Sequence, residues 1–289
     1  MSFRLLRLLL PCVHLVALLT LSSVVACADS HQQVACRVPS ISPFFSPELP
    51  YQQFDNSQAQ TTMEEKAPTV DMASPSDGRF RSLRILCFGD SLTAGYSSYG
   101  YSHYPYAAQI RKELKKAFPA AEAQVVVSGL SGDRVVEGQF LQRMKGLCAT
   151  DDHPPYDWII VLGGTNDLGW SEPPHKVFQG LKDVWTVALE TGANVMALSV
   201  LEAEHTGGDL IRRRNALNEM IAQHSQHRWH YMDLCAAIPY FNMSDAQKPR
   251  IWDDGLHLTM AGYEMMGEAI AAKLIELLHA VDQPINHGK

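Results

Sequence analysis

From about residue 81 onward, short runs of consecutive apolar residues alternate with longer segments in which apolar residues recur every three or four positions. The runs are typical of strands buried on both faces of a parallel sheet, and the longer segments are typical of amphipathic helices. Five runs fit the first description, at residues 83–88, 125–127, 158–162, 194–200 and 229–233. The pattern therefore predicts five strands.

The helical segments lie between and after these strands. The first spans about 104–118, and Pro105 suits its first turn. The second ends at Gly192, which is well placed as a C-cap. Its predicted inward face carries Val177, Leu181, Val184, Trp185 and Ala188. Two more segments cover about 210–224 and 259–278. Strands that alternate with helices predict an α/β fold, with a five-stranded parallel sheet as the middle of three α/β/α layers.

The N-terminal quarter has a different pattern. Arg4 and Arg7 precede an uncharged, largely apolar stretch, and Ala26-Cys27-Ala28 has the form of a signal-peptidase site. Residues 1–28 are therefore predicted to be a signal peptide, which makes the protein secreted, or a signal-anchor that is not cleaved and tethers it to a membrane. A third interpretation is a bacterial lipoprotein, because Val24-Val25-Ala26-Cys27 loosely fits a lipidation box.

Residues 29–78 are predicted to be a disordered linker. Prolines punctuate polar residues with no sustained period of two or 3.6, so the segment buries too little apolar surface to offset its ordering entropy. The folded domain is predicted to span residues 79–282, and residues 283–289 form a tail.

Composition narrows the class of protein. Of the 289 residues, 46% are hydrophobic and 19% are charged, which is typical of a globular chain. The net charge of −7 and the absence of a basic block predict no nucleic-acid partner. A membrane contact is expected only through an uncleaved N-terminal segment, and the protein is expected to be a monomer.

No cofactor and no metal are predicted. The chain has neither a Gly-rich phosphate loop nor a C-x-x-C pair. His224, His227 and His230 are three residues apart, but His230 falls in a predicted strand, so the three do not share one coordinating face. Cleavage after Ala28 would leave four cysteines, of which Cys87 and Cys235 adjoin predicted strands and are expected to be buried free thiols.

Four short motifs carry the candidate chemistry: Gly89-Asp90-Ser91, Ser131-Gly132-Asp133, Gly164-Thr165-Asn166-Asp167 and Asp254-Gly255-Leu256-His257. The first three follow the first three predicted strands, and the fourth precedes the last helix. Because ligands bind beyond the carboxyl ends of parallel strands, the motifs are expected to meet at one edge of the sheet.

Together the motifs supply the parts of a serine esterase. Ser91 is a candidate nucleophile and His257 its base, which Asp254 or the adjacent Asp253 can orient. Gly132 and Asn166 can join the Ser91 amide as hydrogen-bond donors to an oxyanion, and Gly129 competes with Gly132 for this role.

The motifs resemble those of the SGNH hydrolases, the GDSL-type lipases and acylhydrolases, from about Arg81 to about Leu278. The resemblance implies a flavodoxin-like SGNH hydrolase fold. It selects Asp254 as the third member of the triad with Ser91 and His257. It also implies an oxyanion hole formed by Ser91, Gly132 and Asn166.

The resemblance further implies hydrolysis of a carboxylic ester through an acyl-enzyme. Expected substrates are small-molecule or polysaccharide esters, that is short-acyl esters, lipids or acetylated carbohydrates. An acyltransferase using the same triad and a non-catalytic binding module are the alternatives. The sequence assigns no substrate-binding residue, although some of the tyrosines that follow the nucleophile are expected to wall the pocket: Tyr96, Tyr99, Tyr101, Tyr104 and Tyr106.

Overall fold

The computed structural model of the protein describes residues 82–149, 153–205 and 207–281. The predicted signal segment (1–28), linker (29–78) and tail (283–289) lie outside these residues. Within the described ranges, no helix has both the length and the apolar character that crossing a membrane requires.

Seven strands occur in the described residues. In chain order they are β1 (Ser82–Gly89), β2 (Tyr96–Ser97), β3 (Ser102–His103), β4 (Glu122–Gly129), β5 (Trp158–Leu162), β6 (Asn194–Leu198) and β7 (Trp229–Met232). Five of them form a parallel sheet in the order β4-β1-β5-β6-β7, and β2 pairs with β3 as a small antiparallel hairpin. The prediction of a five-stranded parallel sheet is confirmed, and the strand order is the flavodoxin-like one.

The helices of the same residues are α1 (Ser91–Ala94), α2 (Ala107–Ala117), α3 (Phe140–Cys148), α4 (Thr165–Gly169), α5 (Pro174–Glu190), α6 (Gly208–Gln223), α7 (Leu234–Ala237), α8 (Lys248–Ile251) and α9 (Met260–Val281). Helices α2 and α9 cover one face of the sheet. Helices α3, α5 and α6 cover the other face, which completes the three layers.

Strand β1 shows how the two cores form. Successive side chains of a strand point to opposite faces, so Ile85 and Cys87 enter the core under α2 and α9, whereas Leu86 and Phe88 enter the core under α3 and α5. All four side chains are fully buried. Burial of each large apolar side chain stabilises the fold by roughly 1.5–3 kcal/mol, which explains why β1 is a continuous apolar run.

Several element boundaries differ from the sequence prediction. The largest extension is in β4, which spans Glu122–Gly129 where residues 125–127 were predicted. Two other differences have a clear physical cause. Strand β6 ends at Leu198 because the backbone of Val200 leaves the sheet and exchanges two hydrogen bonds with the side chain of Asn218, at 2.8 and 2.9 Å. Helix α2 begins at Ala107 because the Tyr104 N–H is already bonded to the Gly95 carbonyl, at 2.7 Å.

Helix α3 was not predicted. It has only nine residues, and its buried side chains, Phe140 and Met144, make a single i, i+4 pair. One such pair is too weak a pattern to distinguish a helix from a loop.

The register of the sheet positions the candidate site. Gly89, the last residue of β1, is paired with Gly129 at the end of β4 and with Leu162 at the end of β5. The three strands therefore end at the same level. The segments that follow them, which contain the first three motifs, leave the sheet side by side.

Candidate active site

Ser91 lies directly after β1, at the start of α1. The side chain of Asp90 caps this short helix, because its Oδ1 accepts the N–H of Leu92 at 3.0 Å. A side chain at Gly89 would collide with Thr93 and with the carbonyl of Leu162, so only glycine lets α1 turn so tightly over the strand ends. Ser91 is 8% exposed.

The imidazole of His257 contacts both Ser91 and Asp254. Its Nε2 lies 2.9 Å from the Ser91 Oγ, and its Nδ1 lies 2.8 Å from the Asp254 Oδ2. An ionised carboxylate can only accept, so the ring proton belongs on Nδ1 and Nε2 is free to accept the proton of the Ser91 hydroxyl. The three side chains thus form a continuous hydrogen-bonded chain from carboxylate to hydroxyl.

The loop that carries His257 is organised by Asp254. Its Oδ1 accepts the backbone N–H groups of Leu256, at 3.0 Å, and of His257, at 2.7 Å. Burial of the Asp254 carboxyl opposes ionisation, but the hydrogen bonds to His257 and Leu256 outweigh it and lower the pKa of Asp254 to about 2. Asp254 is therefore a carboxylate throughout the neutral range.

Asp253, the alternative partner for His257, is bonded elsewhere. Its Oδ2 accepts the N–H of Ser98 at 2.6 Å and lies 3.4 Å from the Ser97 hydroxyl. Asp253 thus ties the histidine loop to the β2–β3 hairpin, and Asp254 is the carboxylate on the imidazole.

Gly132 occupies a tight turn after β4. The N–H of Asp133 bonds to the carbonyl of Leu130 at 3.1 Å, and Gly132 has a φ of +77°. A positive φ at this place in a turn favours glycine. An added Cβ would meet nothing within 4 Å, so the turn conformation, not a close approach by other atoms, requires glycine here.

Gly129, the alternative to Gly132, ends β4 inside the sheet. A side chain there would run into the backbone N of Ala94 in α1. This glycine therefore allows α1 to pack against β4, and Gly132 is the one in the exposed turn.

Asn166 lies in α4 and links the first two motifs. Its Nδ2 donates to the carbonyl of Asp133 at 2.9 Å and is 3.5 Å from the Oδ2 of Asp90. Asp167, the next residue, is fully buried and accepts the N–H groups of Val135 and Val136, at 3.0 and 2.8 Å. Burial raises the pKa of Asp167, although these two hydrogen bonds oppose the rise. Residues 166 and 167 thus fasten the Gly132 segment to α4.

Arg143, on α3, is a site-building residue that sequence reasoning missed. Its guanidinium pairs with the Asp133 carboxylate at 2.6 Å and donates to the carbonyls of Gly89, at 3.1 Å, and Ser128, at 2.7 Å. It also stacks over the ring of Phe88, 4.6 Å from its centroid. Arg143 therefore clamps the ends of β1 and β4. No local signal marks this role, because every partner is distant in sequence.

The tyrosines after the nucleophile have different environments. The ring of Tyr96 lies 4.5 Å from that of His257, and its carbonyl accepts a hydrogen bond from the Tyr263 hydroxyl at 2.8 Å. Tyr106 is buried in the core. Tyr99 and Tyr101, at 81% and 92% exposure, stand in solvent at the tip of the β2–β3 hairpin.

Most of the large exposed apolar side chains are close in sequence to the four motifs. Of the six in the described residues, only Phe241 is far in sequence from the four motifs. The other five lie within ten residues of Ser91, Gly132, Asn166 or His257 in sequence, and form what is here called the site rim: Tyr99, Tyr101, Leu130, Trp170 and Met260. The indole of Trp170, 63% exposed, is backed by the guanidinium of Arg134 at 5.0 Å.

In the part of the chain that the structure describes, no group of three or more His, Cys, Asp or Glu is arranged to hold a metal ion. His224 packs between Trp185 and Trp229 in one core, whereas His230 packs on Trp158 at the other face of the sheet. The histidines thus do not share a face.

Three cysteines lie in the described residues, and all are free thiols. Cys87 is fully buried, and burial raises the pKa of its thiol to about 12. Cys148 and Cys235 are half-buried, and burial also raises the pKa of each.

Residues 87–265 match the profile of the GDSL-like lipase/acylhydrolase family. No curated protein gave a significant match. Among solved structures, the chain is similar to an aryl esterase of M. smegmatis in its inhibitor-bound form, with 21% identity and a TM-score of 0.52 over 68% of this chain and 99% of that one.

Two further solved structures have the same fold. One is a carbohydrate acetylesterase from Sinorhizobium meliloti, with 19% identity and a TM-score of 0.52 over 68% of this chain and 99% of that one. The other is a variant of an acetyl-xylooligosaccharide esterase from Geobacillus, with 17% identity and a TM-score of 0.52 over 66% of this chain and 94% of that one.

Proposed function

The chain belongs to the GDSL-like lipase/acylhydrolase family, and from this premise we propose that it is a serine-dependent carboxylic ester hydrolase with Ser91, His257 and Asp254 as its triad. The observation that carries the proposal is the pair of contacts made by His257, 2.9 Å to the Ser91 Oγ and 2.8 Å to the Asp254 Oδ2. A hydroxyl is a weak nucleophile until a base accepts its proton, and these contacts supply the base and hold it in the required tautomer.

In the first half-reaction, the Ser91 Oγ attacks the ester carbonyl carbon while its proton passes to the His257 Nε2. The tetrahedral intermediate carries its negative charge on the former carbonyl oxygen. Donors for this oxyanion are the backbone N–H groups of Ser91 and Gly132 and the side-chain amide of Asn166. The intermediate collapses, the alcohol leaves with the proton returned from Nε2, and the acyl group stays on Ser91.

In the second half-reaction, the same imidazole accepts a proton from water as the water oxygen attacks the acyl carbon. A second tetrahedral intermediate forms and is stabilised by the same donors. Its collapse returns the proton to the Ser91 oxygen and releases the carboxylic acid. Asp254 stays ionised and stabilises the imidazolium formed in each half-reaction. No metal or cofactor takes part in any step.

We further propose that the substrate is a short-acyl ester whose alcohol part carries a ring, an acetylated carbohydrate or an aryl ester, in preference to a lipid. The site rim supports this, because separate flat rings such as Tyr99, Tyr101 and Trp170 suit stacking with another ring. A long acyl chain is better served by a continuous apolar tunnel. The activities for which the structural neighbours are named, those of an aryl esterase and two carbohydrate esterases, are of the same kind.

The protein is proposed to act outside the cytoplasm as a monomer. Cleavage after Ala28 would secrete it, and retention of residues 1–28 would tether it to a membrane. The N-terminal sequence and mass of the mature protein distinguish these: a first residue of Asp29 supports secretion, and an intact N-terminus contradicts it.

The triad is tested by labelling with a fluorophosphonate and by hydrolysis of p-nitrophenyl acetate. Wild type and the control Ser225→Ala, at an exposed serine, are expected to be labelled and active, whereas Ser91→Ala loses both properties. Product analysis with an added alcohol distinguishes a hydrolase, which releases free acid, from a transferase, which esterifies the alcohol. Full activity of Ser91→Ala would refute the proposed function.

A further inference from the structure

Asp90 is a buried acidic group that the proposed reaction does not use. Its side chain is 1% exposed, and its two oxygens face different partners. The Oδ1 accepts the Leu92 N–H at 3.0 Å, and the Oδ2 lies 3.5 Å from the Nδ2 of Asn166. The carboxyl therefore stands beside the amide that is proposed to stabilise the oxyanion.

The amide of Asn166 has a donor end and an acceptor end, and its surroundings determine which end faces the site. The carbonyl of Asp133, at 2.9 Å, can only accept a hydrogen bond, and the same holds for the ionised carboxylate of Asp90. Both neighbours therefore favour the NH₂ end and repel the carbonyl end. If Asp90 donated a hydrogen bond instead, it would favour the carbonyl end of the amide, opposite to the preference set by Asp133.

We propose that Asp90 is a positioning residue that acts through Asn166, keeping the NH₂ group of this amide turned towards the oxyanion. This inference rests on the proposed ester hydrolase function. One amide proton is held by Asp133, at 2.9 Å. The other is held only loosely by Asp90, at 3.5 Å, which is the outer limit of a hydrogen bond. The second proton can thus pass to a stronger acceptor, the oxyanion, when the tetrahedral intermediate forms.

The arrangement makes the orientation of Asn166 sensitive to pH. Protonated Asp90 carries an O–H, which can meet the amide N–H and favour the opposite orientation. Burial raises the pKa of Asp90 to about 7, the hydrogen bond from Leu92 and the charge of His257 lower it, and the charge of Asp167 raises it. The phenols of Tyr106, just before α2, and Tyr263, on α9, also interact electrostatically with this carboxyl.

The rate should therefore fall steeply at acid pH. Protonation of His257 removes the base, and protonation of Asp90 lowers the rate further. In a plot of log kcat against pH, the acid limb of wild type is expected to be steeper than a slope of one over the pH range in which Asp90 takes up its proton. A base acting alone gives a slope of one.

The variant Asp90→Asn tests the inference directly. The new amide can still cap α1 by accepting the Leu92 N–H through its oxygen, and it then presents NH₂ to the NH₂ of Asn166. Since loss of an oxyanion donor costs roughly 10²- to 10³-fold in kcat, we expect kcat to fall about tenfold to a hundredfold with KM unchanged. The acid limb should have a slope of one. The matched control, Asp245→Asn at a fully exposed carboxylate, should match wild type in both respects.

A double-variant experiment separates positioning from a structural role. If Asp90 acts through Asn166, adding Asp90→Asn to Asn166→Ala should change kcat by less than about twofold. If Asp90 only capped α1, Asp90→Asn would lower kcat equally in wild type and in Asn166→Ala. That result would overturn the inference. Asn166→Ala alone gives a test that needs no change at Asp90: its acid limb should have a slope of one, and a limb as steep as that of wild type would also overturn the inference.

Failure of this inference can be distinguished from failure of the proposed ester hydrolase function. Activity that survives Ser91→Ala refutes the ester hydrolase mechanism itself. An inactive Ser91→Ala together with an Asp90→Asn variant that keeps the wild-type kcat and slope refutes only the role of Asp90.

Discussion

Asp254 bonds His257 at two points: its Oδ2 lies 2.8 Å from the ring Nδ1, and its Oδ1 accepts the backbone N–H of the same residue at 2.7 Å. The three-residue separation lets one carboxylate fix both the loop and the imidazole. The orientation of His257 is therefore set within four residues. Its contacts with Ser91 and with the ring of Tyr96 depend on the rest of the fold.

This relationship predicts that Asp254→Asn impairs catalysis severely. An amide can favour the wrong ring tautomer, so kcat should fall roughly 10³- to 10⁴-fold. Hydrolysis of p-nitrophenyl acetate measures the change. Asp253→Asn is the matched comparison, because Asp253 bonds to Ser98 and not to the ring, and its kcat should fall far less. Similar losses in the two variants would contradict the assignment.

The oxyanion role of Asn166 predicts a loss in the chemical step and not in binding. Asn166→Ala should reduce kcat roughly 10²- to 10³-fold, or about 2.7–4 kcal/mol, with little change in KM. Steady-state kinetics on a short-acyl ester provide both constants. The control is Asn242→Ala, at an exposed asparagine, which should behave as wild type. A rise in KM with kcat intact would show that Asn166 binds the ground state only.

From the raised pKa of Asp90 we expect the stability of the folded protein to depend on pH. Its folded-state pKa of about 7 lies above an unfolded value of about 3.9. Between these values the folded protein holds a proton that the unfolded chain has released. The stabilisation that this proton contributes is therefore fully present below about pH 4. It is lost as the pH rises towards 7, by at most about 1.4 kcal/mol per pH unit.

Urea unfolding of wild type and Asp90→Asn at several pH values tests this sign. The variant should gain stability relative to wild type as the pH rises from about 4 to 7, because it has no charge to bury. The difference between the two should be smallest at the acid end. A difference that is constant with pH, or that changes in the opposite direction, would show that Asp90 is ionised at low pH.

We expect removal of Arg143 to destabilise the fold more than removal of a residue from an ordinary surface ion pair. The Asp133 carboxylate, 2% exposed, pairs with Arg143 at 2.6 Å. Arg143→Met would leave it buried without its counter-charge, at a cost of about 3–5 kcal/mol in the free energy of unfolding. Arg212→Met, at a 75% exposed arginine, should change the free energy by less than about 0.5 kcal/mol. Equal stability of the two variants would contradict the clamp.

The site rim predicts that Trp170 contributes to recognition of the alcohol part of the substrate. Trp170→Ala should lower kcat/KM about two- to twelvefold for an acetylated xylo-oligosaccharide, since loss of one aromatic stack costs roughly 0.5–1.5 kcal/mol. Vinyl acetate, which has no ring, should be hydrolysed as by wild type. Phe241→Ala, which removes an exposed ring outside the rim, is the control. An equal loss on both esters would indicate a structural effect.

Much of the fold could be predicted because each element is specified locally. The strand at residues 158–162 was predicted with the bounds that it has, since a run of five consecutive apolar residues favours a strand buried on both faces. The predicted inward face of α5 is buried at every position. The α3 helix escaped prediction because its two buried residues define no period.

Within the candidate site, the sequence by itself determined the residue types, their places at strand ends and the local Asp254–His257 unit, because turns and short loops depend on neighbouring residues. Only the tertiary structure decided that Ser91 meets a histidine 166 residues away, that Arg143 clamps two strand ends, and that Asp90 faces Asn166. Hydrogen bonds need alignment to within a few tenths of an ångström. That alignment comes from the register of the sheet and the packing of α3, α4 and α9, which no local pattern encodes.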